Sequence, residues 1–327
     1  MAHLTRFGLQ IPSFSYPDEV NAELFEQVVA IAITAETSGF DSLWVMDHFF
    51  QIPNVGRREE PMFEAYTLLG GLAARTRTAR LGTMVTGVTY RNPALVAKQV
   101  TAIDVLSGGR AVLGIGAAWF DEEHERLGFD FPPLTERFGR LDEALRICRA
   151  MFTQEAPSFE GRYYSIHNAV NNPRPLQPGG PPILVGGSGE RRTLKLVAER
   201  ADACNIFGDV DTVRHKLAVL DRHCEVVGRD PSTVTKTRLG TLVIADTQKQ
   251  VDRRVEELAS RRDQDKAALR SMVTAGDPDS VVEQVASFFD AGLDGLVFNM
   301  PDAYDLDAVA LAGATLTGAF GTVDRST

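Results

Sequence analysis

The stretch DSLWVMDHFF, residues 41–50, predicts a buried strand that ends in two polar residues. Residues 43–46 form an apolar run, which is typical of a parallel strand covered on both faces. Asp47 and His48 follow that run directly. A carboxyl group and an imidazole at the end of a strand are candidates for chemistry at the edge of the core.

Strands and helices alternate along the rest of the chain. Apolar strand patterns fall at residues 7–12, 41–47, 79–87, 109–118, 181–187, 202–208, 235–245 and 294–300. A series of about eight such units favours a (β/α)8 barrel, the TIM barrel, over an open doubly wound sheet. An open sheet usually carries G-x-G-x-x-G after its first strand, whereas residues 10–16 contain no glycine. We therefore predict an α/β fold of the TIM-barrel class.

Two segments interrupt the regular order. Residues 153–180 are rich in Pro, Gly and Asn, and they predict an insertion with a small hairpin before the fifth strand. Residues 246–280 predict a charged, helical insertion before the last helix–strand unit. We expect the whole chain, residues 1–327, to form one TIM-barrel domain.

The composition narrows the class of protein. The chain has 327 residues, 44% hydrophobic residues and a net charge of −10, which argues against nucleic acid or an anionic membrane as a partner. Its three cysteines form no C-x-x-C pair, and no residue pattern indicates a metal site, a signal peptide or a membrane span. We expect a cytoplasmic protein that acts on a small molecule.

A barrel would place Asp47 and His48 on its catalytic face, because active sites lie at the carboxyl ends of the strands. A histidine there can donate or accept a proton near neutral pH. Asp47 could orient the ring or bind a cofactor group. Alternatively, Asp47 caps the following loop and His48 has a structural role.

A glycine-rich turn opens the helix in VGGSGERRTLKLVAERA, residues 185–201. The free N–H groups of a helix start and the cations Arg191, Arg192 and Lys195 suit a phosphate or carboxylate. The alternative is a plain strand–helix turn.

Two further stretches leave room for a ligand. LGTMVTGVTY (81–90) has two glycines in a strand, which indicates a bulge or a close approach by a ligand. GIGAAWFDEEHE (114–125) ends a strand in small residues that suit a flat ligand. We interpret its acidic cluster, residues 121–125, as a solvated first helical turn.

Taken in order, these stretches resemble the bacterial luciferase-like family of TIM-barrel flavin and deazaflavin oxidoreductases. The resemblance covers nearly the whole chain and runs through GFDSLWVMDHF, LGTMVTGVTYRNPALVAKQ, LSGGRAVLGIGAAWFDEEH, ILVGGSGERR and GLDGLVFNMP. Asp-His-Phe at residues 47–49 is similar to the branch that uses the deazaflavin coenzyme F420. FMN-dependent members more often show Glu-His-His there.

The resemblance implies roles for individual residues. Asp47 and His48 would lie against the deazaflavin ring, and a non-prolyl cis peptide at Met84–Val85 would support the ring from behind. Thr86, Ala117 and Ala118 match positions that line the cofactor. The residues that match its phosphate-binding segment are Gly187, Ser188, Gly189, Arg192 and Thr193. Family members are commonly homodimers.

Three departures from the family's sugar-phosphate dehydrogenases concern the substrate. Phe50 and its neighbours stand where those enzymes have a Trp. Trp119 replaces a glutamate proton donor, and Phe207 replaces a substrate-phosphate contact. We therefore expect an apolar, unphosphorylated substrate.

Our hypothesis is an F420-dependent oxidoreductase in which His48 transfers the proton and is oriented by Asp47 or by the cofactor. One alternative is an FMN-dependent monooxygenase that is supplied by a reductase partner. A second is a protein that binds a flavin or deazaflavin without catalysis.

Overall fold

In a computed structural model, which describes residues 4–17 and 21–322, eight parallel strands form a barrel with helices on its outside. The strands are β1 (Phe7–Ile11), β2 (Ser42–Val45), β3 (Arg80–Thr83), β4 (Thr86–Gly87), β5 (Ala111–Gly116), β6 (Phe159–Glu160), β7 (Ser165–Ile166), β8 (Ile183–Gly186), β9 (Ala203–Ile206), β10 (Thr235–Ile244), β11 (Thr274–Gly276) and β12 (Gly295–Asn299). The helices are α1 (Leu24–Ser38), α2 (Ala65–Arg75), α3 (Pro93–Ser107), α4 (Asp121–Leu127), α5 (Leu134–Thr153), α6 (Thr193–Arg200), α7 (Val210–Val226), α8 (Gln248–Arg261), α9 (Lys266–Met272), α10 (Pro278–Asp290) and α11 (Leu306–Phe320). Within these ranges, no helix combines the length and the apolar composition needed to cross a membrane.

The strand pairing runs all the way around the barrel. The order is β1, β2, β3, β5, β8, β9, β10 and β12, and β12 pairs back with β1. β4 continues the third barrel strand beyond β3, and it pairs with β5. The predicted fold class and the eight predicted strands are therefore confirmed, and the carboxyl ends of the strands meet at one mouth of the barrel.

The third barrel strand is divided between β3 and β4. The peptide bond between Met84 and Val85, which lies at the division, is cis, as the resemblance implied. Gly114 on β5 approaches Thr83 so closely that a Cβ there would lie 1.9 Å from the Thr83 carbonyl oxygen. Glycine is thus required where the divided strand passes β5.

Both predicted insertions are present, and one contains more than was predicted. β6 and β7 form the expected antiparallel hairpin within residues 153–180. Residues 246–280 hold α8 and α9, as expected, and also β11, which pairs with the last three residues of β10. β11 was not predicted, because its three small residues carry no clear strand pattern.

Arg110, just before β5, stabilises the opposite end of the barrel. Its Nε donates to the Ser107 carbonyl at 2.7 Å. Nη1 donates to Thr76 Oγ1 at 2.9 Å and to the Ala79 carbonyl at 2.6 Å. Nη2 donates to the Ala73 carbonyl at 3.1 Å and to the Thr76 carbonyl at 3.0 Å. Each nitrogen of this buried guanidinium is therefore hydrogen-bonded, and the arginine joins the loop before β3 to the start of β5.

Candidate active site

A cavity of about 420 Å³ opens at the mouth of the barrel, and we call it the slot. The predicted site residues that line it are Asp47, His48, Met84, Val85, Thr86, Ala117, Ala118, Trp119, Gly187, Gly189, Thr193 and Phe207. The lining residues that the sequence analysis missed are Gly87, Tyr90, Gly116, Leu134, Phe138, Gly186 and Asn205. Most of the missed residues are sequence neighbours of predicted site residues or belong to α5. No local sequence pattern shows that α5 approaches the mouth of the barrel.

Glycines keep the floor of the slot flat. A Cβ on Gly116 would lie 2.9 Å from the Val85 side chain, and one on Gly186 would lie 2.8 Å from it. A Cβ on Gly87 would lie 2.6 Å from the Tyr90 ring. Larger residues at these positions would displace Val85 or Tyr90, so the shape of the slot depends on the absent side chains.

Asp47 is buried and has one free oxygen. Its Oδ2 accepts from the Gly87 N–H at 3.1 Å and from Arg91 Nη1 at 2.8 Å. Its Oδ1 is buried without a hydrogen-bond partner in the described residues. Burial raises the pKa of Asp47, although the Arg91 guanidinium opposes this shift. Asp47 thus offers the slot an unused acceptor.

His48 is oriented by Glu123, a residue that the sequence analysis placed in a solvated turn. Glu123 is fully buried, and its Oε2 lies 2.9 Å from His48 Nδ1. The Tyr90 hydroxyl donates to the same oxygen at 2.5 Å. Oε1 accepts from the backbone N–H groups of Phe49 and Phe50. The prediction of a solvated turn was therefore wrong for Glu123, and Glu123 rather than Asp47 is the residue that contacts His48 Nδ1. Orientation of His48 by the cofactor stays a prediction.

The pKa shifts and the hydrogen bonds indicate which of Glu123, Tyr90 and His48 carry protons. Burial acts to raise the pKa of Glu123, but hydrogen bonds from His48 and Tyr90 outweigh it, so the net pKa is lowered. Burial and the Glu123 charge raise the pKa of Tyr90, which stays protonated. A carboxylate only accepts, so His48 Nδ1 carries its proton. His48 Nε2 then remains free for a ligand, since the described residues provide no partner for it.

The neighbouring histidine has a structural role. His124 is buried, its Nδ1 lies 2.7 Å from the Phe120 carbonyl, and its Nε2 lies 2.6 Å from Thr89 Oγ1. A carbonyl only accepts, so Nδ1 is the donor, and burial lowers the pKa of His124. The neutral ring stacks on Tyr90 with 4.6 Å between the centroids. His124 therefore anchors α4 and with it Glu123.

The predicted phosphate-binding turn lies beside the slot. Gly187 has φ of +124°, and Ser188 Oγ accepts from the Phe207 N–H at 2.9 Å. α6 starts at Thr193 without a side-chain cap. Ser188, Gly189, Arg191 and Arg192 line an open cavity of about 390 Å³ that shares Phe138 and Gly189 with the slot. The start of α6, two arginines and the Glu190–Lys216 ion pair thus meet at one end of the slot.

Two aromatic residues border the slot, and a third does not. Trp119 is 56% exposed, Phe207 is 50% exposed, and both line the cavity. The Trp119 and His48 ring centroids lie 5.6 Å apart. Phe50 is not among the lining residues, and its backbone N–H donates to Glu123 Oε1 at 2.8 Å. The slot thus gives no support to the assignment of Phe50 to the substrate pocket, which stays a prediction, while Trp119 and Phe207 lie where a substrate could contact them.

These features fit a flat ring system with a phosphorylated tail. The glycine and alanine floor accommodates a planar group, and Asp47 Oδ1 is available to a ring donor. The turn with Arg191 and Arg192 suits a phosphate at the far end. No group of three or more His, Cys, Asp or Glu within the described ranges could hold a metal ion.

Comparisons with known proteins agree with the geometry. The family model described as luciferase-like monooxygenase matches residues 5–268. An F420-dependent glucose-6-phosphate dehydrogenase of Amycolatopsis mediterranei is 33% identical over 315 residues, which cover 86% of this chain and 91% of that protein. The corresponding protein of Kineococcus radiotolerans is 31% identical over 311 residues, with 86% and 90% covered.

A solved structure shares the fold at lower identity. The coenzyme F420 dependent tetrahydromethanopterin reductase of Methanopyrus kandleri superposes with a TM-score of 0.77 and 18% identity. The match covers 97% of this chain and 99% of that one. At this identity, the likeness concerns the barrel and not the substrate.

Proposed function

Because this chain belongs to the luciferase-like monooxygenase family, we propose that it is an F420-dependent oxidoreductase acting on a small organic molecule. The observation that carries the proposal is the position of the His48–Glu123 pair beside the unused Asp47 Oδ1 in one flat slot. The curated relatives, which match most of the chain, are named as F420-dependent enzymes.

The chain's residues divide the binding of the cofactor between them. When bound, F420 supplies hydride transfer at a ring carbon. Asp47 Oδ1 would accept a hydrogen bond from the ring. The residues that would line the ring are Met84, Val85, Thr86, Ala117 and Ala118. The residues that would hold the phosphate are Gly187, Ser188, Gly189, Arg192 and Thr193.

His48 manages the proton in this proposal. With Nδ1 donating to Glu123, Nε2 can take a proton from a substrate hydroxyl or, once protonated, return it to a carbonyl oxygen. The Glu123 carboxylate stabilises the imidazolium that forms in the first direction. Trp119 and Phe207 would pack against the substrate and exclude water.

The expected substrate needs revision. Both relatives are named for a phosphorylated sugar, which runs against our expectation of an apolar, unphosphorylated molecule. We propose a small alcohol or carbonyl compound as the substrate class. A cytoplasmic homodimer that binds neither nucleic acid nor membrane stays our prediction for location and assembly.

Equilibrium binding of oxidised F420 and of FMN, followed by fluorescence, tests the proposal. We expect the wild type to prefer F420. Asp47→Asn should weaken F420 binding about 10- to 100-fold, because a charged acceptor is lost. Asp130→Asn changes an exposed acid and serves as the matched control. A preference for FMN would favour the monooxygenase alternative, and binding of neither would overturn the proposal.

A further inference from the structure

A second cavity, of about 770 Å³, opens at the mouth beside β9, β10 and β12, and we call it the side cavity. Phe207 lines both the side cavity and the slot. A molecule in the slot could therefore extend past this side chain. The side cavity contains charged and polar groups that the proposed chemistry does not use.

Arg238 on β10 is the main charged group of the side cavity. It is only 7% exposed and pairs in register with Ile206 on β9. Its Nε donates to the Gly208 carbonyl at 2.7 Å, and its guanidinium lies 4.3 Å from the centre of the Phe288 ring. Its Nη1 is buried and has no hydrogen-bond partner in the described residues. Burial lowers the pKa of Arg238 to about 10, so it remains a cation at neutral pH.

Two other arginines, Arg91 and Arg110, are bound more completely. Arg110 engages all three guanidinium nitrogens, and Arg91 pairs with Asp47 and Glu64. A buried cation with an unused donor is unfavourable unless an acceptor completes it. Arg238 Nη1 lies beside Gly240, which lines the side cavity, so a ligand in that cavity could supply the acceptor.

The residues around Arg238 in the side cavity favour the binding of an anion. Asp209 is the one acidic residue among the lining residues described, and its Oδ1 accepts from the Thr212 N–H at 2.8 Å as the cap of α7. Its charge acts on Arg238 and partly opposes the lowering of the Arg238 pKa, although the described residues show no hydrogen bond between the two side chains. The neutral polar lining residues include Thr241, Ser271, Thr274, Ser287 and Asn299. Asn299 Oδ1 is also buried without a partner there, and a half-turn of the amide would present its N–H groups instead.

We propose that Arg238 binds an oxyanion carried by the substrate, a phosphate or a carboxylate, while the reacting carbon lies in the slot near His48. This proposal rests on the proposed function. A guanidinium suits such a group because its N–H donors match two oxygens at once. Phe207 replaces the expected phosphate contact at the end of β9, and the adjacent strand β10 supplies the cation.

Calorimetric titration of inorganic phosphate and of acetate into F420-saturated protein tests the site. In the proposed function, F420 would occupy the turn at residues 187–193 and so remove that competing site. We expect the wild type to bind at least one anion, and the preferred one distinguishes phosphate from carboxylate. Arg238→Met should weaken that binding at least 10-fold, whereas Arg253→Met, which removes an exposed cation on α8, should not. Failure of the wild type to bind either anion, or equal binding by Arg238→Met, would overturn the proposal.

A second variant separates the position of the guanidinium from its charge. A Cβ on Gly240 would lie 2.2 Å from Arg238 Nη1, so Gly240→Ala should displace the guanidinium and weaken anion binding while keeping the charge. Unchanged anion binding in this variant would contradict the proposed geometry. If F420 does not bind at all, the proposed function fails. The anion titration is then repeated without F420 in an Arg192→Met background, which still tests Arg238.

Discussion

The two sides of the barrel mouth differ in how completely their polar groups are bonded. On the side of β2, β4 and β5, Glu123 accepts from His48, Tyr90 and two backbone N–H groups. On the side of β9, β10 and β12, Asn205, Arg238 and Asn299 each leave a buried polar atom without a partner in the described residues. The first side is fixed before any ligand arrives, whereas the second depends on a ligand to complete it.

This difference corresponds to two tasks. A proton-transfer group must be held in one orientation, so its surroundings are bonded in advance. A recognition surface can leave donors and acceptors unused, since a ligand that lacks the matching groups is then rejected strongly. Asp47 combines both patterns, with Oδ2 bound to Arg91 and Oδ1 unused in the slot.

The largest expected effect is on turnover, and it tests the side of the mouth that holds His48 and Glu123. His48→Ala should lower turnover by roughly 10²–10⁴-fold while F420 affinity stays near the wild-type value, because the general acid–base group is lost. The measurement is steady-state turnover of the best substrate from an alcohol and carbonyl screen, with His167→Ala, an exposed histidine, as the control. Near-normal turnover would remove His48 from the mechanism.

Replacing two buried arginines tests whether Arg238 contributes less than Arg110 to the free energy of unfolding. Arg110→Met should lower the free energy of unfolding by about 2–4 kcal/mol, because several buried carbonyl groups lose their donor. Arg238→Met should change it by less than about 1 kcal/mol, because one hydrogen bond is lost and an incompletely bonded cation is removed. Urea denaturation measures both values. Equal losses would mean that Arg238 is structural like Arg110.

Glu123→Gln should lower turnover by about 10- to 100-fold, less than His48→Ala. The amide keeps the size of the side chain but no longer stabilises a charged imidazole. The pH profile of turnover should also shift, a change that simple loss of packing would not produce. Glu125→Gln, on the exposed face of α4, is the matched control and should leave the profile in place.

The smallest effect concerns acid stability. The pKa of folded Glu123 lies below its ordinary value of 4.5, so its stabilising contribution is complete above pH 4.5. This contribution declines as the pH falls through the lowered value. The stability difference between wild type and Glu123→Gln, about 1–3 kcal/mol at pH 7, should therefore shrink below pH 4.5 in urea denaturation. A difference that stays constant to pH 3 would contradict this assignment.

The barrel could be predicted from local patterns, because several strands are continuous apolar runs and strands alternate with helices along the chain. Asp47 and His48 could also be located, since they follow the run of β2 directly. Glu123 could not, because DEEHER is typical of an exposed helix start, and only the packing of α4 on the mouth buries it. Arg238 was missed for a similar reason, since a charged residue within a strand usually faces solvent. Both are long-range effects that no local spacing encodes.

The short helix α4 links two properties that an engineer would want to vary separately. Trp119, which borders the slot, and Glu123, which orients His48, are four residues apart on one continuous segment. A loop graft that reshapes the pocket at Trp119 would also shift Glu123 and disturb the proton-transfer group. Libraries aimed at new substrates should therefore retain residues 120–124 and diversify Phe207 and the side cavity, where changes leave the His48–Glu123 pair untouched.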